Sequence, residues 1–458
     1  MNHDDLRDWS KRAADWAHAY HAGLRARPVR PDIAPGTLAA RLPAAPPEGP
    51  EPMEAIWSDF LDLVPEGLTH WQHPRFFAYF PANAAPASML AEQLVNAIAA
   101  QAMLWQTAPI ATEMEEVMVA WMAQALGLEQ RRGVIHDSAT TATLSAVLTM
   151  RERALGWAGL EDGLSGGPRV RIYASDQVHS SVDKAVRVAG IGQSNLVRIP
   201  TDAGGAMQAQ ALAAAIAADR AAGALPAGVV VCAGGTGVGA FDRVGEIVDL
   251  ARAEGLMSHV DAAWAGSAMI CPEFRPLWAG AERADSVVMN PHKWLGAQFD
   301  CSIQFLADPG PQIRTLGLRP SYLETPGQDE ITNFNEWTVP LGRRFRALKL
   351  WFLLRAEGLE GLRARLRNHV AWAEAAAQDL ARLPGVEIVT PPSLSLFSFA
   401  LASEAATEAL LTRINADGRI YLTQTRHRGR YVIRVQVGPY ATTAEDVAMI
   451  ARVVEELL

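Results

Sequence analysis

The sequence predicts an α/β protein with a mainly parallel central sheet, a smaller C-terminal α+β domain and an N-terminal helical arm. Three observations predict it. Short β-branched runs alternate with helical segments through the middle of the chain, prolines break up the first 75 residues, and the pattern turns helical near residue 345 before ending in strand-like pieces. A chain of 458 residues is long enough for two or three packed domains. The changes of pattern place the arm at residues 1–75, a large α/β domain at 76–345 and the small domain at 346–458.

In the arm, Leu6, Trp9, Ala13, Trp16 and Tyr20 recur at helical spacing among polar neighbours. The segments RPVRPDIAPG and RLPAAPPEGPEP then interrupt the helix, because each proline removes an N–H donor and pushes its predecessor out of the helical region. Such an arm lies over another surface, either its own chain or a partner subunit.

The middle carries RVRIYASD (169–176), GVVVCAGG (228–235), SHVDAAWAG (258–266), SVVMNPHKW (286–294) and CSIQFLAD (301–308), separated by helical segments such as 139–155, 206–222 and 243–254. Apolar strands divided by helices indicate a sheet covered on both faces. Ligands of such sheets bind at the carboxyl ends of the strands, so the polar residues that follow each run are the ones to inspect. From about 345 a long helical stretch leads to VEIVT, LSLFSFAL, YVIRVQVG and a last amphipathic helix after Thr442.

Composition excludes several classes. A net charge of −9 argues against nucleic acid or an anionic membrane as the partner. No run approaches the roughly 20 apolar residues that span a bilayer. The polar N-terminus carries no signal-peptide pattern, which makes the cytoplasm the expected compartment. Cys232, Cys271 and Cys301 are too few and too scattered for a disulfide framework or a zinc site, and read as buried core thiols.

Four constellations carry chemistry. In NPHKWLGAQFDCS, Lys293 follows a strand between His292 and Trp294, where partial desolvation lowers an amine's pKa and frees it to attack an aldehyde. In SHVDAAWAGSA, Asp261 precedes Ala262 and Ala263; a carboxylate there can hold a protonated ring nitrogen, or simply cap a helix. In HDSATTATLS, Ser138, Ala139, Thr140 and Thr141 open a long helix whose free N–H groups, dipole and hydroxyls suit a phosphate. His179, after the strand 169–175, offers a flat ring for stacking. Each has a plainer explanation when taken singly. Together they are the parts needed to bind pyridoxal 5′-phosphate (PLP).

These residues, with THWQHPRFFAYFP, SDQVHSS, HVDAAWAGSAMICPEFR, NPHKWL…FDCS and PLGRRFRALKLWF, make the chain resemble the group II PLP-dependent amino-acid decarboxylases, and among them those acting on aromatic L-amino acids. The resemblance runs from about residue 6 to the C-terminus and implies PLP fold type I, the aspartate aminotransferase-like architecture. It implies that Lys293 carries PLP as a Schiff base, that Asp261 pairs with the pyridine nitrogen and that His179 stacks on the ring. Ser138, Ala139 and Thr140 are implied to hold the phosphate with Asn290 and His292 close by, and Thr236 and Ala263 to touch the cofactor. Tyr322, in GLRPSYLETPGQDE, matches the family's proton donor. Trp71, Tyr79, Phe80 and Pro81 match the aromatic wall of the substrate pocket.

The chain departs from the family at Ala82, where threonine is common, at Gln101 and Met103, which replace bulky apolar residues contributed by the partner subunit, and at Trp264, which replaces a tyrosine. The resemblance further implies a homodimer with its sites at the interface. The reaction expected is decarboxylation of tryptophan, tyrosine, dopa or phenylalanine to the amine and CO2. Rival readings are an oxidative aldehyde synthase, in which Tyr322 or His179 would usually be replaced, a decarboxylase for histidine or glutamate, and a silent scaffold. A DNA-binding regulator would need a basic winged helix that residues 1–75 do not offer.

Overall fold

Apolar runs that stop at glycine or polar residues become strands, and the structure, a computed structural model, describes residues 1–318 and 331–458. The first seven strands are β1 Arg132–His136, β2 Val170–Ser175, β3 Leu196–Ile199, β4 Leu225–Cys232, β5 Met257–Asp261, β6 Ser286–Met289 and β7 Ser302–Leu306. They form one sheet in the order β1-β7-β6-β5-β4-β2-β3. The pairs β2–β3, β2–β4, β4–β5 and β5–β6 are parallel, whereas β7 runs antiparallel to both β6 and β1. The physical reason lies in the link from β6 to β7. It holds only the helical turn Pro291–Leu295, with no helix to carry the chain back along the sheet as a parallel crossover usually does. Because β7 alone is reversed, the carboxyl ends of the other six strands share one edge of the sheet.

The helices are α1 His3–Gly23, α2 Met53–Leu63, α3 Pro86–Ile98, α4 Pro109–Leu126, α5 Ala139–Ala154, α6 Gly159–Asp162, α7 Ser181–Val188, α8 Ala209–Ala221, α9 Val244–Ala253, α10 Gly310–Leu316, α11 Ala347–Ala381, α12 Glu404–Asp417 and α13 Ala444–Leu457. A second, four-stranded sheet has the order β10-β11-β9-β8, from β8 Glu387–Ser393, β9 Leu396–Ala400, β10 Thr423–His427 and β11 Arg430–Gln436.

Two compact units divide the chain. One is Ala82–Ala371 with Pro392–Leu396; the other is Met1–Pro81 with Trp372–Pro391 and Phe397–Leu458. In the larger unit Val147, Met150, Ile172, Ala174, Val186 and Val230 pack where α5 and α7 cover the sheet. In the smaller, Leu380, Phe397, Phe399, Leu410, Ile433 and Ile450 form the core, and Phe77 from the N-terminal part joins them. Neither α1 nor α2 fully buries a residue, although Trp16 meets Phe60 edge-on at 4.8 Å and Arg12 pairs with Glu54 at 2.6 Å. All three cysteines are buried and unpaired, as read from the sequence. Among the described residues no helix is long and apolar enough to cross a membrane.

Candidate active site

Every residue read from the sequence as a cofactor contact lies in the larger unit, at or just past the carboxyl end of a strand. Burial along β5 is complete from Met257 to Val260 and is relieved only at Asp261. Ala263 N–H donates to Asp261 Oδ1 at 3.1 Å, and this short turn keeps the carboxylate at the sheet edge. Asn290 N–H donates to Ala263 O at 2.9 Å, joining the ends of β5 and β6. Ala263 also packs on Ala139, Ala142 and Val288, so small apolar groups lie where the start of α5 meets the Asp261 turn.

The first turn of α5 is organised by its own neighbours. Ser138 is the N-cap, extended at φ −148° and ψ 158°, and its Oγ accepts from Thr141 N–H at 3.3 Å. Asp137 Oδ1 accepts from Ser138 Oγ at 3.1 Å and from Thr141 Oγ1 at 2.5 Å. Burial pushes the Asp137 carboxyl up, but the hydroxyls of Thr141 and Ser138 and the charge of Arg346 outweigh it, and the group titrates below its ordinary value. Ala139 and Thr140 follow with the unsatisfied N–H groups of a helix start.

Lys293 sits in one π-helical turn, Pro291–Leu295, which Gly296 closes at φ +107°, a conformation that favours glycine. Pro291, His292, Trp294 and Leu295 are buried, whereas Lys293 is half-buried. Distant residues hold the turn. Asn290 Oδ1 accepts from Ser302 Oγ at 2.5 Å, His292 Nδ1 accepts from Cys301 N–H at 2.9 Å, and Trp294 Nε1–H donates to His369 Nδ1 at 2.9 Å. Trp294 also stacks on Trp264, with ring centroids 5.2 Å apart. Burial, with the nearby charges of Lys293 and Lys349, lowers the His292 pKa to about 3; burial lowers that of His369 to about 3. Both rings are neutral at physiological pH.

His179 follows β2, and its Nδ1 accepts from Ser181 N–H at 3.1 Å. Burial lowers its pKa; the charge of Asp261 opposes that shift and the charge of Lys293 adds to it, so the imidazole lies within the field of both groups. Thr236 is in the loop after β4. Ala233 N–H donates to Asp261 O at 2.9 Å, and Asp242 accepts from Cys232 N–H at 2.7 Å, which ties the base of that loop to the sheet.

The residues read as a substrate wall are placed differently. Trp71, Tyr79, Phe80 and Pro81 belong to the smaller unit. Trp71 stacks on Tyr79 with centroids 5.8 Å apart, both rings are exposed, and Phe80 lies under the Arg434 guanidinium at 4.6 Å. Gln101 and Met103 are in the larger unit. Gln101 Oε1 accepts from Arg343 N–H at 2.6 Å and Met103 O accepts from Asn335 N–H at 3.1 Å, both within the chain. Tyr322 lies outside the described residues. Sequence reasoning missed Asp137, His369, Ser302 and Asn83. Only Asp137, immediately before the cap, carried a local signal.

A helix start rich in N–H groups, a carboxylate and a primary amine on one sheet edge match a phosphate, a basic ring nitrogen and an aldehyde, which are the three handles of PLP. Alanines at 139, 142 and 263 pack between the start of α5 and the Asp261 turn. Fold and site therefore define a PLP enzyme. Comparison with known proteins narrows the class. The pyridoxal-dependent decarboxylase conserved domain matches residues 35–402, and the chain belongs to that family. It is a PLP-dependent carboxy-lyase. The aromatic-L-amino-acid decarboxylase of Sus scrofa is 39% identical over 453 residues, which cover 95% of this chain and 93% of that protein. The solved structure of Oryza sativa TDC with PLP and tryptamine superposes with a TM-score of 0.95 at 34% identity, covering 100% of this chain and 98% of that one. The Rhodiola rosea 4-hydroxyphenylacetaldehyde synthase gives 0.93 at 32%, covering 100% and 98%.

Proposed function

We propose that the protein decarboxylates an aromatic L-amino acid (tryptophan, tyrosine, dopa or phenylalanine) to its amine and CO2. The observation that carries the reading is the convergence of Asp261, His179 and Lys293 at one sheet edge, beside the N-terminus of α5. PLP bound there supplies a sink for the electron pair left when the Cα–carboxylate bond breaks. The chain's own groups do the rest. Ser138, Ala139 and Thr140 bind the phosphate through the helix start, with Asn290 and His292 alongside. Asp261 Oδ2 accepts no hydrogen bond among the described residues and holds the proton of the ring nitrogen. His179 would cover one face of the ring, Thr236 and Ala263 would flank it, and the Lys293 amine would hold the aldehyde.

The stacked Trp71 and Tyr79, with Phe80 and Pro81, supply aromatic surface for a flat substrate side chain. Gln101 and Met103 tune that choice. Tyr322 returns a proton to Cα, and its presence together with His179 favours the amine over the oxidative, aldehyde-forming outcome of some relatives. The protein works as a homodimer; α1 and α2, which bury no residue within the chain, supply surface for the second copy. An active monomer in sedimentation sinks that part.

The test follows CO2, amine, ammonia and peroxide together while the PLP-loaded protein meets each L-amino acid in turn. Equal amine and CO2 without peroxide is the expected result, and aldehyde with ammonia and peroxide assigns the oxidative branch. Tyr322→Phe is expected to keep PLP and substrate binding, lose amine formation and divert turnover to aldehyde.

A further inference from the structure

A five-residue π turn answers few of its own carbonyls. Pro291 O receives Gly296 N–H and Ala297 N–H, both at 3.1 Å. Asn83, from outside the turn, reaches the next two carbonyls. Its backbone N–H donates to His292 O at 3.1 Å, and its Nδ2 donates to Lys293 O at 2.9 Å. Asn83 is 0% exposed. The same segment continues along the exit of the turn, where Ala85 N–H donates to Gly296 O at 2.9 Å and Ser88 Oγ accepts from Gln298 N–H at 2.7 Å.

The two carbonyls that Asn83 holds belong to the two peptide planes flanking the Lys293 Cα. Peptide units are rigid, so fixing both planes fixes φ and ψ at Lys293, and with them the direction in which Cβ leaves the chain. We propose that Asn83 is a positioning residue for Lys293: it aims the amine without touching cofactor or substrate. This rests on the reading that Lys293 carries PLP. Removing the side-chain donor takes away the 2.9 Å bond to Lys293 O, and the turn is held less tightly at that peptide. A misaimed amine meets the aldehyde less often, whereas amino-acid binding through other groups is little changed.

The experiment compares wild type with Asn83→Leu, which keeps the volume without a donor, Asn83→Ala, and Asn83→Ser, which keeps a short donor. PLP is added to each apo protein, the visible band of lysine-bound PLP is timed, borohydride fixes the adduct, and peptide masses locate it. Urea unfolding checks the fold, and kcat and KM are measured separately. For the Leu and Ala variants the band is expected to form at least ~10-fold more slowly and kcat to fall ~10–100-fold, with KM within ~3-fold of wild type. Asn83→Ser lies between. Wild-type protein labelled somewhere other than Lys293 overturns the underlying cofactor reading. Wild type labelled on Lys293, with folded Leu, Ala and Ser variants forming the band at its rate, overturns only the positioning role.

Discussion

The first turn of α5 and the turn that carries Lys293 stand on the same sheet edge and are built in opposite ways. The α5 start is local: Asp137, Ser138 and Thr141 hold one another within five consecutive positions. The Lys293 turn is assembled from afar, by Asn83, Cys301, Ser302 and His369. A phosphate asks only for N–H groups pointing outward, which any well-capped helix provides. The reactive amine proposed at Lys293 must be aimed, and aiming takes partners on several sides.

The contrast can be broken or sharpened by experiment. Lys293→Ala gives the largest effect: CO2 release is expected to fall by more than ~10³-fold, about 4 kcal/mol in barrier terms, with the circular dichroism spectrum unchanged. Substantial residual turnover removes the amine from the chemistry. Asp261→Asn keeps the shape of the β5 turn while losing the charge; kcat is expected to drop ~10²-fold and the absorbance of bound PLP to shift.

Acid separates the two turns next. His292 and His369 hold pKa values of about 3, below the ordinary 6.5, so between those values the unfolded chain takes up protons that the folded one refuses. Stability contributed by the neutral rings is present above pH 6.5 and is lost as pH falls toward 3. His136 and His259, at about 4, add to the loss. Burial raises Asp242 to about 6, so the folded chain keeps that proton longer; this group favours folding as pH falls from 6 toward 3.8 and offsets one histidine. Urea titrations across this range are expected to show net acid lability. In His369→Phe the slope should be shallower by about 1.4 kcal/mol per pH unit, one proton's worth. An unchanged slope means that His369 is protonated in the fold. The smallest effect belongs to the local turn: Ser138→Ala is expected to cost about 1 kcal/mol of stability. It should weaken PLP retention only severalfold, as read by dialysis.

Legibility followed the same division. The helix start at 139, the Asp261 turn and the lysine after β6 could be read because their signals are contiguous: an apolar run, then a polar residue, then small ones. Strand direction could not. CSIQFLAD reads as one more apolar strand, and it runs antiparallel where the β6–β7 link holds one helical turn and no crossover helix. TQTRH became β10 without an apolar run because it pairs with β11 at the sheet edge. Asn83 sits in PANAAP and reads as a loop residue, while His369 lies inside a helical pattern and reads as core. Their roles depend on partners far along the chain, which no local window contains.

The reach of those partners bears on how the protein is made. The chain emerges from the ribosome N-terminus first, so Asn83, the start of α5 and Asp261 are all synthesised before His369 exists. The last partner of the lysine's turn is made only when α11 is translated. A truncated chain ending short of α11 keeps Asn83, Cys301 and Ser302 around the turn but lacks His369, the acceptor for Trp294.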